Sequence, residues 1–232
     1  MTKHFIFDMD GVLVDSEPMH QQIIYEVFEQ LGIPFSKEYI ERDLTGMSAV
    51  PMWEKVKQDA KRTESANELL TFHREYFYKR FEQIEVNEIE GVKYVLQKLK
   101  DKGFLLSLAS SSSRKLIDYF IKKVEIAHFF DVIMSGDDVQ YSKPFPDIFL
   151  KVAEAYNIDA QYFWVLEDSK NGVQAAKSAG MHCIGFKNPN SGVQDLSKSD
   201  IIIEKMSEFT DDFITKIKLN GKIKQKAVIY TL

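Results

Sequence analysis

Apolar and polar positions along the chain change their period twice. The stretch HFIFDMDGVL opens with a continuous apolar run, Phe5, Ile6 and Phe7, which predicts a short strand buried on both faces. Gly11 then permits a sharp bend. Between residues 16 and 86 the apolar positions repeat at helical spacing, with no convincing strand. Ser16 and Pro18 mark a helix start; Ile23, Ile24, Val27, Phe28 and Leu31 form its stripe, and Gly32 its stop. Further helices are predicted over about 36–44, 50–60 and 65–84. From residue 87 the pattern becomes alternation. Strands at 104–109, 130–134, 163–166, 182–186 and 201–203 are interleaved with helices at 91–102, 114–123, 146–156 and 171–179. Strands joined through helices predict a parallel sheet with right-handed crossovers. The expected fold is α/β. A core of residues 1–15 and 87–232 carries an inserted helical-bundle cap, residues 16–86.

Composition narrows the class. With 232 residues, 44% hydrophobic and 28% charged, the chain is an ordinary globular one of one large or two small domains. Its 30 basic residues against 35 acidic ones give a net charge of -5, which argues against a nucleic-acid partner. A single cysteine, Cys183, excludes an internal disulfide framework and a cysteine zinc site; inside an apolar strand it reads as core. No apolar run approaches the ~18–20 residues of a membrane span. Carboxylates interrupt the first apolar stretch, so it does not read as a signal peptide. A cytoplasmic protein with no membrane partner, monomeric or weakly dimeric, is the expectation. The tail from Lys216 to Leu232 carries five lysines and no acid, and reads as a surface extension or edge strand.

Open parallel sheets bind ligands beyond the carboxyl ends of their strands. Asp8 and Asp10 follow the first strand there, and Ser110, Ser111, Ser112 and Ser113 follow the 104–109 strand. Lys143 follows the 130–134 strand through a loop, and Glu167 and Asp168 follow the 163–166 strand. Four carboxylates in one crevice would repel and raise each other's pKa, which a hard divalent cation such as Mg²⁺ relieves. Serine hydroxyls and free amide groups at a helix start favour an anion such as phosphate, and Lys143 adds positive charge for its oxygens. The set points to phosphoryl transfer with a carboxylate nucleophile.

Asp8-Met9-Asp10-Gly11-Val12, Ser110, Lys143-Pro144 and Glu167-Asp168-Ser169, in that order, resemble the four motifs of the haloacid dehalogenase superfamily. Asp15-Ser16-Glu17-Pro18 and Lys143-Pro144-Phe145-Pro146-Asp147 resemble its helical-cap branch, that of β-phosphoglucomutase and phosphoglycolate-phosphatase-like enzymes. The resemblance spans nearly the whole chain. It implies a Rossmann-like parallel sheet core with an inserted helical-bundle cap domain, and a hydrolase acting on a small phosphorylated metabolite. Asp8 would attack phosphorus. Asp10 would protonate the leaving oxygen and then activate water. Ser110 and Lys143 would hold the transferring oxygens, with secondary contacts from Ser111 and Ser112. Asp8, Asp10 through its backbone carbonyl, Asp168 and Glu167 would hold Mg²⁺; Glu167 and Asp168 are equally placed as the main ligand.

The cap carries the specificity. Leu44-Thr45-Gly46-Met47-Ser48 resembles the substrate-facing loop of this branch, which makes Gly46, Met47 and Ser48 candidate substrate contacts. In β-phosphoglucomutases an arginine follows; here it is Ala49, which counts against a mutase. His20 matches a hinge-side histidine of the mutases, and equally suits a polar position on the first cap helix. A phosphatase is therefore expected, with β-phosphoglucomutase as runner-up. A catalytically silent binding module would have lost one of Asp8, Asp10, Lys143 or Asp168, and all four are present.

Overall fold

The computed structural model describes residues 3–47 and 49–219. The chain begins with β1 (Lys3–Phe7) and a two-residue strand β2 (Val14–Asp15). The insert follows as α1 (Glu17–Leu31), α2 (Lys37–Tyr39) continuing into a π-helical turn (Ile40–Leu44), α3 (Ala49–Asp59), and α4 (Ala66–Arg80) with a 3-10 turn (Phe81–Gln83). The chain returns through β3 (Asn87–Glu88) to α5 (Val92–Asp101), β4 (Phe104–Ala109), α6 (Arg114–Lys123), β5 (Val132–Met134) and α7 (Asp147–Tyr156). It closes with β6 (Phe163–Glu167), α8 (Lys170–Ser178), β7 (His182–Phe186), β8 (Ile201–Ile203) and α9 (Asp211–Leu219). Residues 220–232, most of the lysine-rich tail, and Ser48 lie outside the described residues.

Six strands form one parallel sheet in the order β5-β4-β1-β6-β7-β8. Phe7 is in register with Leu108 of β4 and Leu166 of β6. The carboxyl ends of these three strands therefore lie side by side, at the point where the strand order departs in both directions from β1. The alternation of side chains about β1 divides the core. Phe5 and Phe7 pack into the cluster shared with Leu96, Leu99, Ile117 and Phe120. Ile6 faces Ile148, Phe149, Val152 and Val173 on the other side.

The insert is a helical bundle. Its centre is Trp53, fully buried and edge-on to Phe28 at 6.0 Å, with its indole N–H donated to His73 Nδ1 at 3.1 Å. A capping box between Ser65 and Glu68 starts α4. The predicted 65–84 helix ends earlier, at Arg80, and the predicted 36–44 helix is a single α-turn that widens into the π-turn. No helix among the described residues is long and apolar enough to cross a membrane. The sequence pattern did not contain β2 and β3. They pair antiparallel, Val14 with Glu88 and Asp15 with Asn87, as a ribbon where the chain enters and leaves the helical insert. Two residues are too few to show a period.

Candidate active site

Asp8 is the first residue beyond β1, and its backbone N–H is donated to Leu166 O at 3.0 Å. Its side chain is nearly buried. Lys143 reaches it from the loop before α7: Nζ lies 2.6 Å from Asp8 Oδ1, 2.6 Å from Glu167 Oε1 and 3.1 Å from the carbonyl of Ala109. The same ammonium sits 5.0 Å from the centroid of the Phe149 ring. One lysine thus binds the ends of β1, β4 and β6 together. Burial works against its charge, but the Asp8 and Glu167 carboxylates more than offset this and raise its pKa.

Glu167 is fully buried. Its second oxygen accepts the backbone N–H and the hydroxyl of Ser169, at 3.2 and 3.0 Å. Ser169 also caps α8, accepting from Gly172 N at 3.0 Å. Gly172 is required by this closeness, because a Cβ there would fall 1.8 Å from Glu167 Oε1. Asp168 accepts a hydrogen bond from Ser191 Oγ on its Oδ2. A Cβ on Gly11 would lie 2.0 Å from Asp168 Oδ2, so the bend after Asp10 passes against this carboxylate.

Asp8, Glu167 and Asp168 each place an oxygen within 4.8 Å of the others. Burial raises the pKa of Asp8 well above the ordinary range; Lys143 opposes this, and the neighbouring carboxylates add to it. Burial, reinforced by Glu167, pushes Asp168 up to about 7. Three formal negative charges and one positive leave two in excess. The donors are all hard oxygens, with no imidazole or thiolate among them, so the set fits a divalent cation of the Mg²⁺ or Ca²⁺ kind and not a structural zinc.

The Asp10 carboxylate lies outside this trio and is held differently. Ser16 Oγ donates to its Oδ1 at 2.7 Å; Ser110 and Ser112 hydroxyls donate to its Oδ2 at 3.2 and 2.8 Å. Ser110 Oγ in turn accepts from Ser112 N at 3.0 Å. Two aspartates two residues apart therefore sit in contrasting surroundings, one against an ammonium and the other among hydroxyls. Ser16 was predicted to cap α1, but it makes no cap bond, and its hydroxyl is spent on Asp10. Ser111 is exposed, and Ser113 accepts the Tyr78 hydroxyl from α4 at 2.9 Å. Cys183 is buried, which pushes its thiol pKa up and keeps it neutral.

From the insert, His20 lies on α1 with its ring stacked on Phe77 at 5.2 Å. Glu17, one turn before it, has its pKa raised by burial, with Asp10 and Asp15 adding to the effect. Gly46 and Met47 are exposed. Thr45 is tied to α1 through Gln21 Nε2 at 3.0 Å. The sequence reading missed Ser191, Asn188 and Asn190, which lie after β7 in a stretch with no periodicity. The one available signal was position, since β7 is a further strand whose carboxyl end faces the same edge.

A family model described as Haloacid dehalogenase-like hydrolase matches residues 5–186, and the chain belongs to this family. It is 34% identical to the phosphorylated carbohydrates phosphatase of Thermotoga maritima over 182 residues, 77% of this chain and 82% of that protein. It is 28% identical to hexitol phosphatase B of Escherichia coli, over 80% of this chain and 84% of that one. The crystal structure of a haloacid dehalogenase-like protein from Agrobacterium tumefaciens superposes with a TM-score of 0.78 at 29% identity, covering 94% of this chain and 100% of the other.

Proposed function

We propose that this hydrolase is a Mg²⁺-dependent phosphatase that cleaves a small phosphomonoester, a sugar phosphate or a similar metabolite, through an aspartyl-phosphate intermediate. The observation that carries the proposal is the pairing of a lysine-bound, buried Asp8 with a separate, hydroxyl-held Asp10. The phosphatases named above support the substrate class.

Asp8 attacks phosphorus as its carboxylate. The P–O bond to the leaving group breaks, and Asp10 donates its proton to the departing alkoxide, giving a free alcohol. Asp10, now ionised, takes a proton from water. The water oxygen bonds to phosphorus as the Asp8–P bond breaks, which releases inorganic phosphate and restores both carboxyls. Ser16, Ser110 and Ser112 suit Asp10 to both roles, because a hydroxyl can donate to the carboxylate and accept from the acid. Ser110 and Lys143 hold the transferring oxygens, with secondary contacts from Ser111 and Ser112. Asp8, Glu167 and Asp168 would hold Mg²⁺, with the main-chain carbonyl of Asp10. The ion supplies positive charge that screens phosphate from the nucleophile. Residues 16–86 act as a cap over the core, residues 1–15 and 87–232. His20, Gly46 and Met47 are the proposed contacts for the leaving group, together with Ser48, which lies outside the described residues.

Hydrolysis is preferred to the mutase reaction because Ala49 stands where the mutases carry an arginine. The test is phosphate release across a panel of phosphomonoesters that includes hexitol phosphates, β-glucose 1-phosphate and phosphoglycolate, with Mg²⁺ and with chelator. Metal-dependent release is expected, with one clear preference, and none from Asp8→Asn. Conversion of β-glucose 1-phosphate to glucose 6-phosphate with little free phosphate would establish the mutase instead. Turnover by Asp8→Asn would remove the aspartyl phosphate.

A further inference from the structure

The segment Asn188–Gln194, which follows β7, is fastened to the site at several points. Asn188 Nδ2 donates to the carbonyl of Gly11 at 2.9 Å, on the bend beyond Asp10. Asn190 Nδ2 donates to both Asp15 oxygens, at 3.1 and 2.9 Å, on the entry strand β2. Gln194 accepts the Lys170 N–H at 3.1 Å, at the start of α8. These anchors tie the segment to the bend after Asp10, to β2 and to the start of α8. The segment is also braced within itself. Gln194 Nε2 donates to Ser191 O at 3.0 Å, and Ser191 N donates to Asn188 O at 3.3 Å. The Ser191 backbone is thus held on both sides, and its hydroxyl is delivered to Asp168 Oδ2.

Asp168 needs such a partner. It is one of three mutually repelling carboxylates, and the bend at Gly11 passes so close that a Cβ there would fall 2.0 Å from its Oδ2. A carboxylate has about four acceptor sites, so one hydroxyl fixes its plane and leaves capacity for a cation. The insert leans on the same spot. A Cβ on Gly46 would lie 2.9 Å from Ser191 O, and one on Gly192 would lie 3.2 Å from Thr45 O. The substrate-facing loop therefore rests directly on the backbone of the serine that orients Asp168.

We propose that Ser191 is a positioning residue that orients Asp168 toward the divalent cation, and that the contact of Thr45 and Gly46 with Ser191 and Gly192 links the cap loop to the metal carboxylates. This rests on the metal reading above. Hydrogen bonds of this kind typically change metal affinity by about 10–100-fold.

The test is equilibrium binding of Mn²⁺ to the full chain without substrate, with free ion read by electron paramagnetic resonance. The proteins are the wild type, Ser191→Ala, Ser191→Thr and Gly46→Ala. Ser191→Ala should weaken binding by about tenfold or more. Ser191→Thr, which keeps the hydroxyl, should recover most of the loss. Melting temperature in chelator, unchanged in both, separates positioning from unfolding. Gly46→Ala, whose methyl would meet first Gln194 Nε2, the group that braces Ser191 O, and then Ser191 O itself, should also weaken Mn²⁺ binding. Ser191→Ala binding Mn²⁺ within about twofold of the wild type would overturn the positioning role. A Gly46→Ala protein with unchanged Mn²⁺ affinity would overturn the link to the cap. Failure of the wild type itself to bind Mn²⁺ would instead sink the metal reading, and this one with it.

Discussion

Lys143 holds together a charge arrangement that is unfavourable by itself. Burying ions costs several kcal/mol each, and the ammonium repays this by binding Asp8 and Glu167 at once. Removal leaves two buried carboxylates without a counter-charge. Lys143→Met should therefore lose about 3–5 kcal/mol of stability, measured by urea unfolding at pH 7.5 in chelator, as well as its turnover. A variant as stable as the wild type would show that the trio is not charged in the metal-free fold. Asp168 gives a second test. Its folded pKa of about 7 stands above the ordinary 3.8, so the folded protein binds more protons than the unfolded chain between those values. Its contribution is fully present below the lower value and is lost as pH rises through the upper one. The melting temperature of metal-free protein should fall between pH 5 and 7.5, and Asp168→Asn should flatten that fall. Mg²⁺ should stabilise most at the upper end, where it replaces the lost protons. A full slope retained in Asp168→Asn would assign the titration elsewhere.

At the scale of elements, strand ends and helix starts build the site. Gly172 shows how tightly they are joined. Alanine is the better helix former by about 1 kcal/mol, so a free helix would gain from Gly172→Ala. Here the methyl would occupy the Glu167 carboxylate, and overpacking of this kind costs about 1–3 kcal/mol. The melting temperature should fall, and a rise would mean that Glu167 can move aside freely. This scale also shows what a sequence can carry. The parallel strands were legible because buried strands leave continuous apolar runs, and Asp8, Asp10, Lys143, Glu167 and Asp168 were legible because they follow those runs. The partners were not. Ser16 looked like a helix cap and bonds Asp10 instead, since a hydroxyl's partner depends on a rotamer that no spacing encodes. Ser191 lies in a loop whose path is set by side-chain amides, which leave no period in the sequence.

For the whole molecule, the insert meets the core at both sides of the serine run and the loop after β7. Tyr78 reaches Ser113, and Thr45 and Gly46 meet Gly192 and Ser191. Substrate preference belongs to this scale, because the proposed function assigns the phosphate end to the core and the leaving group to the insert. Replacing Met47, Ser48 and Ala49 together should shift kcat/KM between two sugar phosphates by about tenfold, or ~1.4 kcal/mol of differential transition-state binding. Turnover of a small aryl phosphate, which reaches less of the insert, should change far less. An equal fall in both would place the loop in catalysis rather than in selection.

The ribbon of β2 and β3 sets the relation between these two parts. Val14 pairs with Glu88 and Asp15 with Asn87, so the chain leaves the sheet and returns to it through neighbouring residues. To the core, the insert is a single long loop whose ends are already together. The closure cost of such a loop rises only with the logarithm of its length. Helices can accordingly be lengthened, shortened or exchanged beyond the ribbon at little expense to the sheet. Under the proposed function, the ribbon is a single seam between the chemistry of the core and the part that reads the substrate, and grafting a different insert there would change the substrate without rebuilding the sheet.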